Sequence, residues 1–175
     1  MIGTNRKARV FWPIFLLLVL VDCSSKSAIV DQLTASHEYA SIADGLVRFT
    51  LAYNRDAAMG LSLGPFSRIG FALAAVVGLV VMMTVYRQAL ARDTWKIVAL
   101  ALVSGGATGN LLDRLRSARG VVDFIDVGIG AHRFWWVFNV ADVGISVGAV
   151  LLAVSLWREK RGASPHDGGN VSTAG

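Results

Sequence analysis

The sequence holds a single cysteine, Cys23, which excludes an intrachain disulfide and any metal cluster built on thiolates. Its three histidines, His37, His132 and His166, are scattered, and no His-Glu-x-x-His pair exists, so a zinc site is disfavoured and no metal or cofactor is expected. Charge is scarce as well: Asp, Glu, Lys and Arg make up 17% of the 175 residues against 54% hydrophobic, with a mean hydropathy of +0.55. That balance excludes an ordinary soluble domain, and the apolar residues come in long blocks rather than alternations. The net charge of +5 collects at the ends of those blocks, where anionic headgroups attract it, which argues for membrane lipid as a partner and against nucleic acid.

The blocks predict a mainly α, integral membrane protein. One domain over residues 1–161 carries four transmembrane helices at about residues 9–30, 67–87, 95–112 and 134–157. Pro13 falls in the first turns of the first helix, and Phe134-Trp135-Trp136 opens the fourth as an interfacial aromatic belt. Gly105 with Gly109, and Gly144 with Gly148, are small-x-x-x-small spacings that would let the third and fourth helices approach closely. Between the first two spans, residues 31–66 are mixed in character. There Gly45 to Asn54 alternates as one or two short strands of a small extracytoplasmic β-sheet, followed by a turn at Asn54-Arg55-Asp56 and the breaker pair Gly64-Pro65. Residues 162–175 have nothing to pack against and read as a disordered cytoplasmic tail. Basic clusters at the N-terminus, between spans two and three, and after span four place both termini in the cytoplasm and both longer loops outside.

Basic residues, an apolar run and then Cys23 imitate a lipoprotein signal peptide, but Asp22 stands where cleavage wants a small residue, and three more apolar blocks follow. A lipidated scaffold is therefore the weaker reading. Ser24-Ser25-Lys26 does not make a serine–lysine protease, because adjacent helical residues point in different directions. Asp22 and Lys26, four apart, pair across one turn instead.

The informative residues are acids and amides where a membrane helix should be apolar. Asn110 and Asp113 repeat the Asn-x-x-Asp spacing of Asn139 and Asp142, which on a helix puts amide and carboxylate on one face. Counted from Phe134, Asp142 lies on the order of 12 Å down a helix at about 1.5 Å per residue, a depth that demands a protein partner, a wet cavity or a proton. Asp123 stands in a segment able to fold back towards the helix ends, while Asp126, three residues on, caps or solvates the loop. Two carboxylates brought together cannot both ionise easily, so one keeps its proton and the pair can act as base and acid on water and an amide. The competing reading is a small proton-coupled transporter or channel subunit. The carboxylates lie towards one side of the membrane and no long internal repeat is visible, which favours an enzyme.

Gly105-Gly106-Ala107-Thr108-Gly109-Asn110-Leu111-Leu112-Asp113-Arg114, Val121-Val122-Asp123-Phe124 and Phe138-Asn139-Val140-Ala141-Asp142 resemble the signatures of lipoprotein signal peptidase, or signal peptidase II. The resemblance takes in Asp22, Lys26 and Asn54 and covers nearly the whole chain from Val10 to Trp157. It implies a four-span aspartic protease of the bacterial inner membrane, acting as a monomer and sensitive to globomycin. Such a protease cleaves prolipoproteins on the amino side of a diacylglyceryl-modified cysteine. By motif, Asp123 and Asp142 are the catalytic dyad; Asn54, Asn110, Asp113, Arg114 and Asn139 line or brace the site; Asp22 and Lys26 support the first helix. One departure is visible: the family's Asn-x-Gly-Ala-Ala-Phe stands here as Asn54-Arg55-Asp56-Ala57-Ala58-Met59, which bears on how that loop seats substrate.

Overall fold

Long uncharged blocks with no internal alternation fold as helices because a spanning chain must satisfy its own backbone hydrogen bonds. The computed structural model describes residues 2–36, 40–42, 45–56, 61–129, 132–134 and 136–162. His37, Met59, Trp135 and the tail from residue 163 onward lie outside the described residues. Four helices in it are long and apolar enough to cross a membrane: α1 (Ile2–Ser36), α2 (Ser67–Gln88), α3 (Thr94–Arg116) and α4 (Val140–Gly162).

Hydropathy marks the part of a helix that meets lipid, not where the helix ends, and the bounds differ accordingly. α1 overruns residues 9–30 at both ends, so Pro13 sits about three turns inside it rather than in its first turns. α3 runs on past residue 112 to Arg116, carrying Asn110, Asp113 and Arg114 within one rigid element. The fourth helix starts at Val140, not at residue 134. The backbone of Phe138 is taken by another segment, donating to Ile125 O (3.0 Å) and accepting from Ile125 N (2.8 Å), so the helix cannot begin earlier.

α3 is the central element and packs against each of the other three helices. Its Ile97, Leu100 and Ala101 close a core with Phe11 of α1 and Ala89. Leu16, Leu17 and Leu20 of α1, Leu73, Val77 and Val80 of α2 and Val150 of α4 remain exposed, an outer surface that suits acyl chains. The close approach of α3 and α4 runs through Gly106 and Gly148, whereas Gly105, Gly109 and Gly144 face α1, at Leu18 and Asp22. The spacing signal was therefore right about close helices and wrong about which pair each glycine serves. A methyl on Gly106 would meet the Ala141 carbonyl oxygen and Ile145 Cγ1 (2.8 Å). Gly106→Ala is expected to lower the thermal midpoint in detergent through overpacking, by about 1–3 kcal/mol of stability.

At one end of the bundle lies an antiparallel sheet in the order β1 (Ala40–Ile42), β2 (Val47–Asn54), β3 (Val121–Ile129) and the two-residue β4 (His132–Arg133). The alternating insert supplies β2, and its long partner β3 comes from the Val-Val-Asp-Phe segment, about which the local pattern said only that it folds back. Gly120, at φ +95°, turns the chain into β3 close under Asn54 and Arg55, where a Cβ would strike their backbone. At the opposite end Lys7 Nζ donates to the carbonyls of Tyr86 (3.1 Å), Arg87 (3.1 Å) and Ala89 (2.9 Å), a cation closing the C-terminus of α2.

Candidate active site

Strand register positions the first carboxylate. Asp123 lies opposite Ala52, so Asn54, two residues along, presents its side chain on the same face. Asn54 Nδ2 donates to Asp123 Oδ2 (3.2 Å), and Asn139 Nδ2 donates to Asp123 Oδ1 (2.6 Å). The strand is held by Val122 N, which donates to Asp113 Oδ2 of α3 (3.2 Å).

A helix start positions the second. Asn139 Oδ1 accepts from Asp142 N (2.9 Å) and Asp142 Oδ2 accepts from Asn139 N (3.3 Å), so this Asn-x-x-Asp is a reciprocal cap on the first turn of α4. Asp142 therefore stands at the mouth of its helix, at the positive end of the helix dipole, and not a dozen ångströms down it. The depth inferred from the apolar block fails because residues 134 and 136–139 are not helical. Asn110 Nδ2 donates to Asp142 Oδ1 (2.8 Å), and its own Oδ1 accepts from Asn139 Nδ2 (3.2 Å). One amide pair thus touches both acids.

Beneath them lies a buried ion network. Lys26 Nζ meets Asp22 Oδ2 (2.7 Å), Asp113 Oδ2 (2.9 Å) and Asn110 Oδ1 (2.9 Å), with Lys26 and Asp22 only 3% and 0% exposed. Asp22 Oδ1 also accepts from Ala141 N (2.9 Å), so α1 caps α4 across the bundle. The i,i+4 spacing anticipated the pair, but not that it would be sealed from solvent and tie three helices together. Ser25 Oγ donates to the Asp22 carbonyl (3.0 Å) and Lys26 is fully engaged, which leaves no serine–lysine couple. Cys23 is a half-buried free thiol.

Both acids line one cavity of about 1340 Å³ at the sheet end of the bundle, together with Asn54, Asn110 and Arg114. All nine residues singled out from the sequence therefore belong to one connected constellation. Burial, and then the negative charge of Asp142, push the Asp123 carboxyl up to about 6, against the lowering effect of the Asn54 and Asn139 amides and Lys26. Asp126 does not cap or solvate a loop: three residues from Asp123 it falls on the other face of β3, buried, in a cross-strand ion pair with Arg48 Nη2 (3.1 Å).

Asp56, the departure from the family pattern, has its own partners. Its amide donates to Asn54 Oδ1 (2.9 Å), its carbonyl accepts from Arg114 Nη2 (3.0 Å), and its carboxylate accepts from Ser62 Oγ (2.8 Å). The hydroxyls of Ser67 and Ser62 hold that carboxyl below the usual range. Sequence reasoning did not foresee the cavity wall made by Phe71, Trp136 and Phe138, or Arg119 lying over the Tyr53 ring (4.2 Å). The aromatic run was the available signal for the wall, masked by its resemblance to an interfacial belt.

A bundle of four helices long and apolar enough to cross a membrane, with a two-carboxylate cavity at one end, has the form of a multi-pass membrane enzyme. The chain belongs to the signal peptidase II family, whose model matches residues 14–158. It is 42% identical over 169 residues to a lipoprotein signal peptidase of Pseudomonas putida, covering 94% of this chain and 98% of that protein. A lipoprotein signal peptidase of Pseudomonas fluorescens is 38% identical over 160 residues, covering 90% and 93%. A solved bacterial membrane enzyme shares the fold with a TM-score of 0.71 at 23% identity, over 89% of this chain and 92% of that one. These likenesses do not favour a transporter or channel subunit.

Proposed function

We propose that this peptidase is an aspartic endopeptidase in which Asp123 and Asp142 share one proton, cutting prolipoproteins on the amino side of a diacylglyceryl-modified cysteine. Removal of signal peptides from prolipoproteins comes with membership of the family. The observation that carries the catalytic assignment is that both carboxylates face one cavity and are held by the same Asn110 and Asn139 amides.

Asp123, whose hold on its proton burial and its neighbour's charge extend up to about pH 6, donates to the scissile carbonyl oxygen, while the Asp142 carboxylate takes a proton from water. The hydroxide so formed adds to the carbonyl carbon. On collapse, one hydroxyl of the tetrahedral intermediate returns its proton to Asp123, Asp142 delivers its proton to the leaving nitrogen, and the carbon–nitrogen bond breaks. Asn54 and Asn139 orient Asp123; Asn110 orients Asp142; Asp113, Arg114, Asp22 and Lys26 brace the elements that carry them. The apolar lining from Phe71, Ala75 and Ile145 suits a substrate that carries lipid.

The basic ends of α1, α2 and α4 support an orientation with both termini in the cytoplasm and the cavity on the outer side of the inner membrane, and the named site residues all coming from one chain supports a monomer. Purified protein incubated with a diacylglyceryl-modified precursor is expected to release the signal peptide. Proton-coupled transport in vesicles with no cleavage would overturn the reading.

The dyad also sets a pH limb. The proton on Asp123 is lost as pH rises through about 6, so kcat/KM of the free enzyme is expected to fall above that point. The Asn54 amide lowers that value, so Asn54→Ala should move the limb to higher pH. A limb that moves down, or stays, would contradict the assigned contact.

A further inference from the structure

At the end of the bundle opposite the sheet, a second cavity of about 670 Å³ opens between the start of α3 and the last turns of α4. Its rim is polar and its floor apolar: Arg92, Lys96 and Arg158 stand above Leu151 and Val154, with exposed Trp95 beside them. That is the profile of a phospholipid, a charged head over acyl chains, with an indole at the level where the two meet.

The acids in the groove are already committed. Glu159 Oε1 accepts from Lys96 Nζ (2.5 Å), and Asp93 Oδ2 accepts from Leu90 N (3.1 Å). No carboxylate among the described residues forms an ion pair with Arg92 or Arg158, and the three basic side chains of the groove outnumber its two acids. Guanidinium forks match the two free oxygens of a phosphodiester, and charge complementarity selects an anionic lipid over a zwitterionic one.

The structure assigns this groove as a binding site for one anionic phospholipid, its phosphate held by Arg92 and Arg158 and its chains along Leu151 and Val154. The site is separate from the peptidase cavity and does not depend on the catalytic roles given above. A bound lipid would clamp the first turn of α3 to the last turns of α4, next to the Lys96–Glu159 pair that already joins them.

Native mass spectrometry of the purified protein, titrated with phosphatidylglycerol or with phosphatidylcholine of the same chains, tests the assignment. Phosphatidylglycerol should be retained preferentially, and Arg92→Ala with Arg158→Ala should weaken it by roughly thirtyfold, from about fivefold per surface arginine. Arg92→Lys with Arg158→Lys, which keeps the charge but loses the planar forks, should bind it more tightly than the alanine pair and more weakly than the unsubstituted protein. Lys160→Ala with Arg161→Ala, at the same end of α4 but outside the groove, should change nothing. The assignment falls if the alanine pair binds phosphatidylglycerol as the unsubstituted protein does, or if the Lys160 and Arg161 pair costs as much, which would mean diffuse surface charge. It also falls if glycerol phosphate without chains binds as tightly as the lipid. An unchanged thermal midpoint in each variant separates loss of the site from loss of the fold.

Discussion

Asp142→Asn should reduce cleavage of a lipid-modified precursor by on the order of 10⁴ or more while the protein still inserts and folds, and Asp123→Asn should do the same. The asymmetry between activity and stability follows from the contacts. An asparagine at 142 retains one acceptor for Asn110 Nδ2 or Asn139 N and loses the other, and at 123 it retains one of the two amide contacts. Each lost bond costs about 1–3 kcal/mol, which a folded bundle tolerates. What neither variant can do is pass a proton between water and the amide. The stability of the Asp123 variant carries a sign of its own. Because the folded carboxyl is raised to about 6, its contribution is fully present below the ordinary value of 3.8 and lost as pH rises through about 6. Asp123→Asn should therefore show a smaller drop in thermal midpoint between pH 5 and pH 7.5 than the unsubstituted protein. Signal-peptide release followed by gel mobility, with the midpoint measured in the same detergent, checks both; retained cleavage by either variant removes the dyad.

Lys26→Met is expected to be the most damaging substitution for the fold. It leaves Asp22 and Asp113, one of them wholly buried, without the cation that both contact, and breaking a buried ion pair by removing one partner costs about 3–5 kcal/mol. Since Asp22 also caps α4 at Ala141, the disturbance reaches the turn that carries Asp142. Loss of the protein from the detergent-soluble fraction, or a midpoint lowered by many degrees, is the expected measurement. A midpoint equal to that of the unsubstituted protein would mean the network is dispensable.

The four spans and the polar constellation were legible because lipid imposes the strongest pattern a sequence can carry, and an acid or amide inside that pattern stands out. What local pattern could not give is how Asp123 and Asp142 are held. β3 pairs with a strand about seventy residues earlier, a partnership fixed by tertiary register and invisible to alternation within Val121–Ile129, where buried residues occur on both faces. Asn139 and Asp142 read as helix neighbours because the apolar run continues upstream to Phe134. Only the bridge from Phe138 to Ile125 shows the helix starting at Val140, which converts a costly buried charge into a cap. Asp126 looked like a loop residue for the same reason that β3 did not look like a strand.

The shared proton is tested most directly by infrared titration of the protonated-carboxyl stretch in the purified enzyme. A band that disappears with a midpoint of about 6, is absent in Asp123→Asn and shifts to lower pH in Asp142→Asn, where the neighbouring charge is gone, is the expected result. A carboxyl band that ignores the substitution at Asp142, or none at all in this range, would contradict two acids acting as one unit.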